Sequence, residues 1–325
     1  MAESRWRHLA GPIGRLEPGA RNTVTDVPGV GVGHAQAESG ERTGVTVVVP
    51  PRLPAAAGVA TVNGVGELTA KLEVDERGLI ETPVYLCGSH AVGTVLQAAI
   101  TASGRGPERI VLPVVGECDD GDLADSRTVV AADVERALAA VGGSVAEGSV
   151  GAGTGMSLYD FPGGIGTASR RVGEHHVGVL LLCNFGDRAY LDLLGHSLPP
   201  ASRPSATHGS CIAVCATDAP LDAQQLRRLA LRPLLGLART GSYGGEGSGE
   251  IGVAFSVAEG GPPPPYEELN PYFAAAFESA HEAVYNCLLA ARPAQRLDGS
   301  TQDAFPVDLV ARLARERRSA GQSLE

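Results

Sequence analysis

The stretch "ATHGSCIAVCATDAPL" (206–221) places Ser210 directly behind Gly209, at the head of an apolar run that reads as a buried strand. A turn leading into a strand needs nothing more than this. A serine hydroxyl so placed can also attack the carbonyl before it, giving an ester that water cleaves. Gly209 lowers the steric cost of the strained geometry this requires. The new N-terminus would carry an α-amine of ordinary pKa about 7.7–8.0, able to serve as base for its own hydroxyl without a histidine. The residues alone leave both readings open. "HGSCI" lacks the second glycine of a G-x-S-x-G elbow, and His208 neighbours the hydroxyl only in sequence.

Other chemistry-bearing residues are more ordinary. Glu117 closes the apolar run "RIVLPVVGE" (109–117), a strand end where functional groups often collect. Asp119, Asp120 and Asp122 follow it without the spacing of a calcium loop and read as a solvated turn. "GSVGAGTGM" (148–156) has neither the Lys-Ser/Thr of a Walker loop nor a G-x-G-x-x-G pattern, so it reads as a turn or a backbone-lined pocket wall. Cys211 and Cys215 have zinc-like spacing but no second ligand pair, and read as buried reduced thiols. His175 and His176 are adjacent, and on a strand they would face opposite ways. No metal and no cofactor is expected.

The elements that must carry these residues are short apolar strands alternating with helices. Strand-like runs occupy 44–51, 82–88, 109–117 and 176–185, and helical patterns occupy 90–104 and 129–143. A hairpin is expected across Gly173-Glu174, and a helix from Asp222 that Pro233 should kink or restart. "EIGVAFSV" alternates as a strand with one buried face, and "NPYFAAAFESAHEAVYNCLLAAR" is a strong helix pattern. No repeat or domain boundary stands out, so residues 1–325 are read as one α/β catalytic domain of layered helices and sheets.

Composition removes several classes. The net charge is −11 and Lys71 is the sole lysine, with no basic block interleaved with aromatics, so nucleic acid is not an expected partner. The first residues lack an apolar targeting segment and no run approaches membrane-spanning length. A cytoplasmic protein without membrane partners is expected. The basic stretch "ARLARERRSAGQSLE" reads as a solvated helix end.

Eight stretches, in order, carry a resemblance: "RNTVTDVPGVGVGHA" (21–35), "NGVGELTAK" (63–71), "GSVGAGTGM" (148–156), "GGIGTASR" (163–170), "CNFGDR" (183–188), "GSCIAVCATDAPL" (209–221), "GSGEIGVAFS" (247–256) and "LNPYF" (269–273). Together they resemble the L-aminopeptidase/D-esterase family, which includes the β-peptidyl aminopeptidases. The resemblance spans about residue 11 to about residue 312. It implies a four-layer αββα fold similar to N-terminal-nucleophile hydrolases. It also implies autocleavage between Gly209 and Ser210 into subunits 1–209 and 210–325, assembled as a homo-oligomer, commonly a tetramer of processed heterodimers. Ser210 falls on the nucleophile, Ser248 and Glu250 on a supporting Ser-x-Glu pair, and Asn184 on the oxyanion-hole asparagine. Glu117 falls on the carboxylate that receives a substrate's free amine.

Two positions depart from the family pattern. Asp119 stands where a tyrosine or asparagine is usual beside the substrate, and Gly88 in "LCGSHAVG" replaces an amide side chain. An anion at 119 must either face away or alter the site's preference. The reading is a self-processing serine aminopeptidase or amidase for small peptides, amides or esters with a free amino group. Its alternatives are an amide hydrolase for ω-amino oligomers or a specialised metabolite, an acyltransferase using the same acyl-enzyme, and a non-catalytic scaffold.

Overall fold

The computed structural model describes residues 5–40, 42–121, 123–204 and 209–319; His208 and Asp122 lie outside them. In chain order the strands are β1 (Gly31–Gln36), β2 (Gly44–Val49), β3 (Ala55–Gly64), β4 (Leu79–Ile80), β5 (Val84–Gly88), β6 (Val114–Cys118), β7 (Ser157–Leu158), β8 (Phe161–Pro162), β9 (Gly164–Val172), β10 (His175–Asn184), β11 (Ser210–Thr217), β12 (Gly249–Ser256), β13 (Ala294–Gln295) and β14 (Thr301–Gln302). The helices are α1 (Trp6–Ala10), α2 (Lys71–Arg77), α3 (Val92–Ala102), α4 (Ala131–Ala139), α5 (Ala223–Leu237), α6 (Asn270–Ala290) and α7 (Val307–Ser319).

One sheet runs β1-β2-β5-β6 and the other β4-β3-β12-β11-β10-β9. All pairings are antiparallel except β5 with β6 and β11 with β12. The alternation of side chains along each strand sorts the apolar residues into three buried layers. Val45, Val47, Tyr85 and Val115 face α3 and α4 on one outside. Val48, Leu86, Leu180, Ile212, Val214 and Val253 meet between the sheets. Val179, Leu181, Ala213 and Cys215 pack on α5 and α6. The order is therefore helices, sheet, sheet, helices: the expected αββα sandwich.

Local chemistry explains the boundaries. Asp222 caps α5 by accepting from the Gln225 N–H at 2.8 Å, while the Gln225 side chain accepts from the Asp222 N–H at 3.2 Å. The β9–β10 hairpin turns at Gly173, whose φ of +60° suits glycine.

Several expectations need correction. β12 is buried at every residue, not on one face, because it lies inside a sheet covered on both sides. Glycine makes that possible: a Cβ on Gly252 would collide with the Ala230 carbonyl of α5. Helix α5 does not restart at Pro233: it is helical from Ala223 to Leu237, with Leu229, Ala230 and Leu234 buried around the proline. The run 109–117 becomes strand only from Val114, and Ile110 is 81% exposed. His175 and His176 do not point apart. Their Nδ1 atoms lie 3.6 and 3.7 Å from the two oxygens of Asp218, the residue just beyond β11.

The glycine stretch 148–156 forms a buried 3₁₀ turn over Gly151–Gly155, wedged against β9 so tightly that a Cβ on Gly153 would strike Gly164. All six cysteines are buried and unpaired, Cys211 and Cys215 among them.

Candidate active site

Three strand ends converge at one edge of the larger sheet. β10 ends at Asn184, β11 begins opposite it at Ser210, and β12 begins beside Ser210 at Gly249. Ser210 is buried, and its Oγ accepts a hydrogen bond from the Gly249 N–H at 3.3 Å. Ser248, just before β12, and Glu250, its second residue, flank Gly249 and meet side chain to side chain. There the Ser248 hydroxyl donates to Glu250 Oε1. Glu250 Oε2 is buried and has no hydrogen-bond partner among the described residues. Burial pushes the Glu250 carboxyl above its ordinary pKa, and the Ser248 hydroxyl offsets part of that rise.

Gly209 has a φ of +83°, and a Cβ there would collide with the Asn184 carbonyl oxygen and crowd Phe185. Both backbone conformation and space demand glycine at this position.

Asn184 is clamped at both ends of its amide. Its Oδ1 accepts from the Ser157 N–H at 2.8 Å, and its Nδ2 donates to the Asp119 carbonyl at 2.6 Å. One partner is a donor and the other an acceptor, which fixes the orientation of the amide. Nδ2 carries two hydrogens, so one N–H remains for an oxyanion. The sequence offered no sign of Ser157, nor of Gln302, whose side-chain Nε2 donates to Ser157 Oγ at 3.0 Å and to the Asp160 carbonyl at 3.2 Å. That buttress comes from β14, 145 residues along the chain from Ser157.

Glu117, in β6, belongs to the other sheet. Its Oε1 accepts from the Glu67 N–H at 2.8 Å and its Oε2 accepts from the Ser89 hydroxyl. Burial raises its pKa, with these two hydrogen bonds opposing the rise. The loop after β3 ties Glu117 to the serine edge. The Val65 N–H donates to the Ser248 carbonyl at 3.3 Å, and the Glu117 N–H donates to the Glu67 carbonyl at 3.3 Å. Between them, a Cβ on Gly66 would sit 3.1 Å from Glu117 Oε1 and 3.7 Å from the Gly249 Cα. Ser89 is a contact that the sequence did not reveal.

The Asp119 side chain is exposed and accepts from the Gly121 N–H at 3.0 Å; its backbone carbonyl accepts from Asn184, and its charge adds to the rise in the Glu117 pKa. The space beside Gly88 is filled. A Cβ there would collide with Asp120 Oδ2 and the Ser126 side chain. Ser126 donates to Asp120 Oδ1 at 3.1 Å, and burial pushes the Asp120 carboxyl up to about 6.

A cavity of about 400 Å³ opens beside the nucleophile edge, with Gly209, Ser248 and Glu250 in its lining. Among the described residues, no group of three or more His, Cys, Asp or Glu side chains is gathered to hold a metal ion, and no helix is long and apolar enough to cross a membrane.

Two sheets between helix layers, with a serine leading a central strand and a hydroxyl–carboxylate pair beside it, are the architecture of an N-terminal-nucleophile type serine hydrolase. The chain belongs to peptidase family S58, whose description matches residues 22–302. It is 38% identical over 371 aligned positions to the β-peptidyl aminopeptidase BapA of Sphingosinicella microcystinivorans, covering 97% of this chain and 93% of that one. Among solved structures it resembles a Burkholderia sp. β-aminopeptidase, with TM-score 0.86 and 36% identity over 98% of this chain and all (100%) of that one. It also resembles the L-aminopeptidase D-Ala-esterase/amidase of Ochrobactrum anthropi, a prototype serine aminopeptidase described as a variant of the Ntn hydrolase fold. There the TM-score is 0.84 and the identity 32%, over 98% of this chain and 99% of that one. The protein is accordingly a hydrolase of peptide bonds, of the serine aminopeptidase and amidase kind.

Proposed function

We propose that the protein cleaves itself before Ser210 and then uses Ser210 to hydrolyse small peptides, amides or esters that carry a free amino group. The observation that carries this reading is the convergence of Ser210, the Gly249 N–H and the Ser248–Glu250 pair at one strand edge. In the maturation step the Ser210 hydroxyl attacks the Gly209 carbonyl, and water hydrolyses the resulting ester. This leaves chains 1–209 and 210–325 with a free amine on Ser210.

That amine takes the proton of its own hydroxyl as Oγ attacks the substrate's acyl carbon. The unclaimed N–H of Asn184 stabilises the developing oxyanion. The proton passes to the departing amine, and water, activated by the same base, releases the acyl group. Glu117 receives the substrate's ammonium; its contacts with Ser89 and the Glu67 N–H favour the charged carboxylate against the pull of burial. Each step uses only groups of this chain and water.

Six buried, unpaired thiols support a reducing, cytoplasmic setting. Assembly of processed heterodimers into a homo-oligomer, up to a tetramer, rests on the family resemblance alone. The reading is tested by hydrolysis of an unblocked aminoacyl amide. Wild type should turn it over and Ser210→Ala should not; equal turnover by both would remove Ser210 as nucleophile.

A further inference from the structure

We infer that the cavity beside Ser210 is a subsite for a cationic leaving group: a guanidinium or amino side chain on the residue that departs when the acyl-enzyme forms. The inference rests on Ser210 being the nucleophile. The cavity's volume of about 400 Å³ lies within the roughly 300–1,000 Å³ usual for small-ligand sites.

Its lining is acidic. Asp187, Glu246 and Glu250 supply its carboxylates, beside an Asp160 already engaged by Arg188, and no lysine, arginine or histidine lines it among the described residues. Glu250 is 3% exposed and its Oε2 has no hydrogen-bond partner among the described residues, so the wall nearest the nucleophile presents a buried carboxylate oxygen. Tyr243 also lines the cavity, 62% exposed, edge-on to Tyr190 at 4.9 Å between ring centroids. Its hydroxyl donates to Asp187 Oδ2 at 2.8 Å. A solvent-facing aromatic ring held against a carboxylate attracts a cation twice, through the ring quadrupole and through the charge. Arg188, the nearest cation in sequence, is already committed to Asp160: its backbone N–H donates to Asp160 Oδ2 at 3.0 Å and its charge acts on that carboxylate. Its guanidinium stacks 3.9 Å over the Phe161 ring and donates to the Asp160 backbone carbonyl at 3.0 Å.

The side of the site follows from Gly66. Glu117 sits across Gly66 from Gly249 and does not line the cavity, whereas Ser248 and Glu250 do. With the substrate's free amine at Glu117, the acyl half occupies that side of Ser210, and the departing half enters the acidic cavity.

The test compares three C-terminally amidated dipeptides sharing one unblocked acyl residue, with Arg, Leu or Glu as the departing residue. For wild type we expect kcat/KM about tenfold or more higher for Arg than for Leu, lower again for Glu, with the Arg preference shrinking as salt rises. In Asp187→Asn/Glu246→Gln the Arg-to-Leu ratio should fall at least threefold; the ratio is internal to each variant, so a general loss of activity does not distort it. Equal cleavage of Arg and Leu amides, or a ratio that survives the double substitution, overturns the subsite and leaves Ser210 as nucleophile untouched. Absence of cleavage of all three would instead strike the nucleophile reading. In that case calorimetric binding to the uncleaved Ser210→Ala chain still decides the subsite: arginine amide should bind more tightly than leucine amide, and equal or absent binding overturns it.

Discussion

Asn184 and Ser210 are direct cross-strand partners, the last residue of one central strand and the first of its antiparallel neighbour. The pairing places a clamped side-chain amide beside a nucleophile using backbone geometry alone, and the clamp leaves one N–H unused. Removing it should therefore cost the chemical step rather than binding. Asn184→Ala is expected to lower kcat by about 10²–10³, as loss of one oxyanion donor does elsewhere, with little change in KM. Steady-state kinetics on a small aminoacyl amide check this; a loss confined to KM would place Asn184 outside the oxyanion site.

Glu117 is held across Gly66 from the serine edge, with both oxygens already taking hydrogen bonds that favour the anion. Glu117→Gln should penalise substrates with a free amine by roughly 1.5–3 kcal/mol, about 10- to 150-fold in kcat/KM, and N-acylated analogues much less. Equal penalties on the two substrate types would take Glu117 out of amine binding.

The pH dependence has a definite sign. The Ser210 amine must be neutral to act as base, so kcat/KM should carry an acid limb set by that amine. A neighbouring Glu250 carboxylate favours the ammonium and raises the amine's pKa, while burial raises the carboxyl's own. Glu250→Gln removes the attraction and should shift the limb to lower pH while slowing turnover. A limb that stays put with chemistry still rate-limiting would mean the amine is not the base.

Much of this architecture is legible in the chain because it is local. The β-branched runs, the Asp222 cap and the Gly173 turn each encode their own element. Ser248 and Glu250 meet across a single glycine at the start of β12. What sequence patterns hide is contact at long range. Gln302 supports Ser157, and through it Asn184, from a hairpin near the end of the chain, and Ser89 reaches Glu117 from beyond a neighbouring strand. The two family departures also resolve only in three dimensions. Asp119 holds its exposed carboxylate on the Gly121 N–H and lends its carbonyl to Asn184, while Ser126 and Asp120 fill the space beside Gly88. β12 misleads for the same reason: its alternation suggests one wet face, but α5 covers it through Gly252.

Intact-mass analysis of purified wild type beside Ser210→Ala tests the central claim most directly. The account requires wild type to resolve into two chains, the smaller beginning at Ser210 with a free amine, and Ser210→Ala to remain one chain of 33.3 kDa without activity. An unprocessed wild type that is fully active would contradict it, because Ser210 would then have no amine to serve as its base.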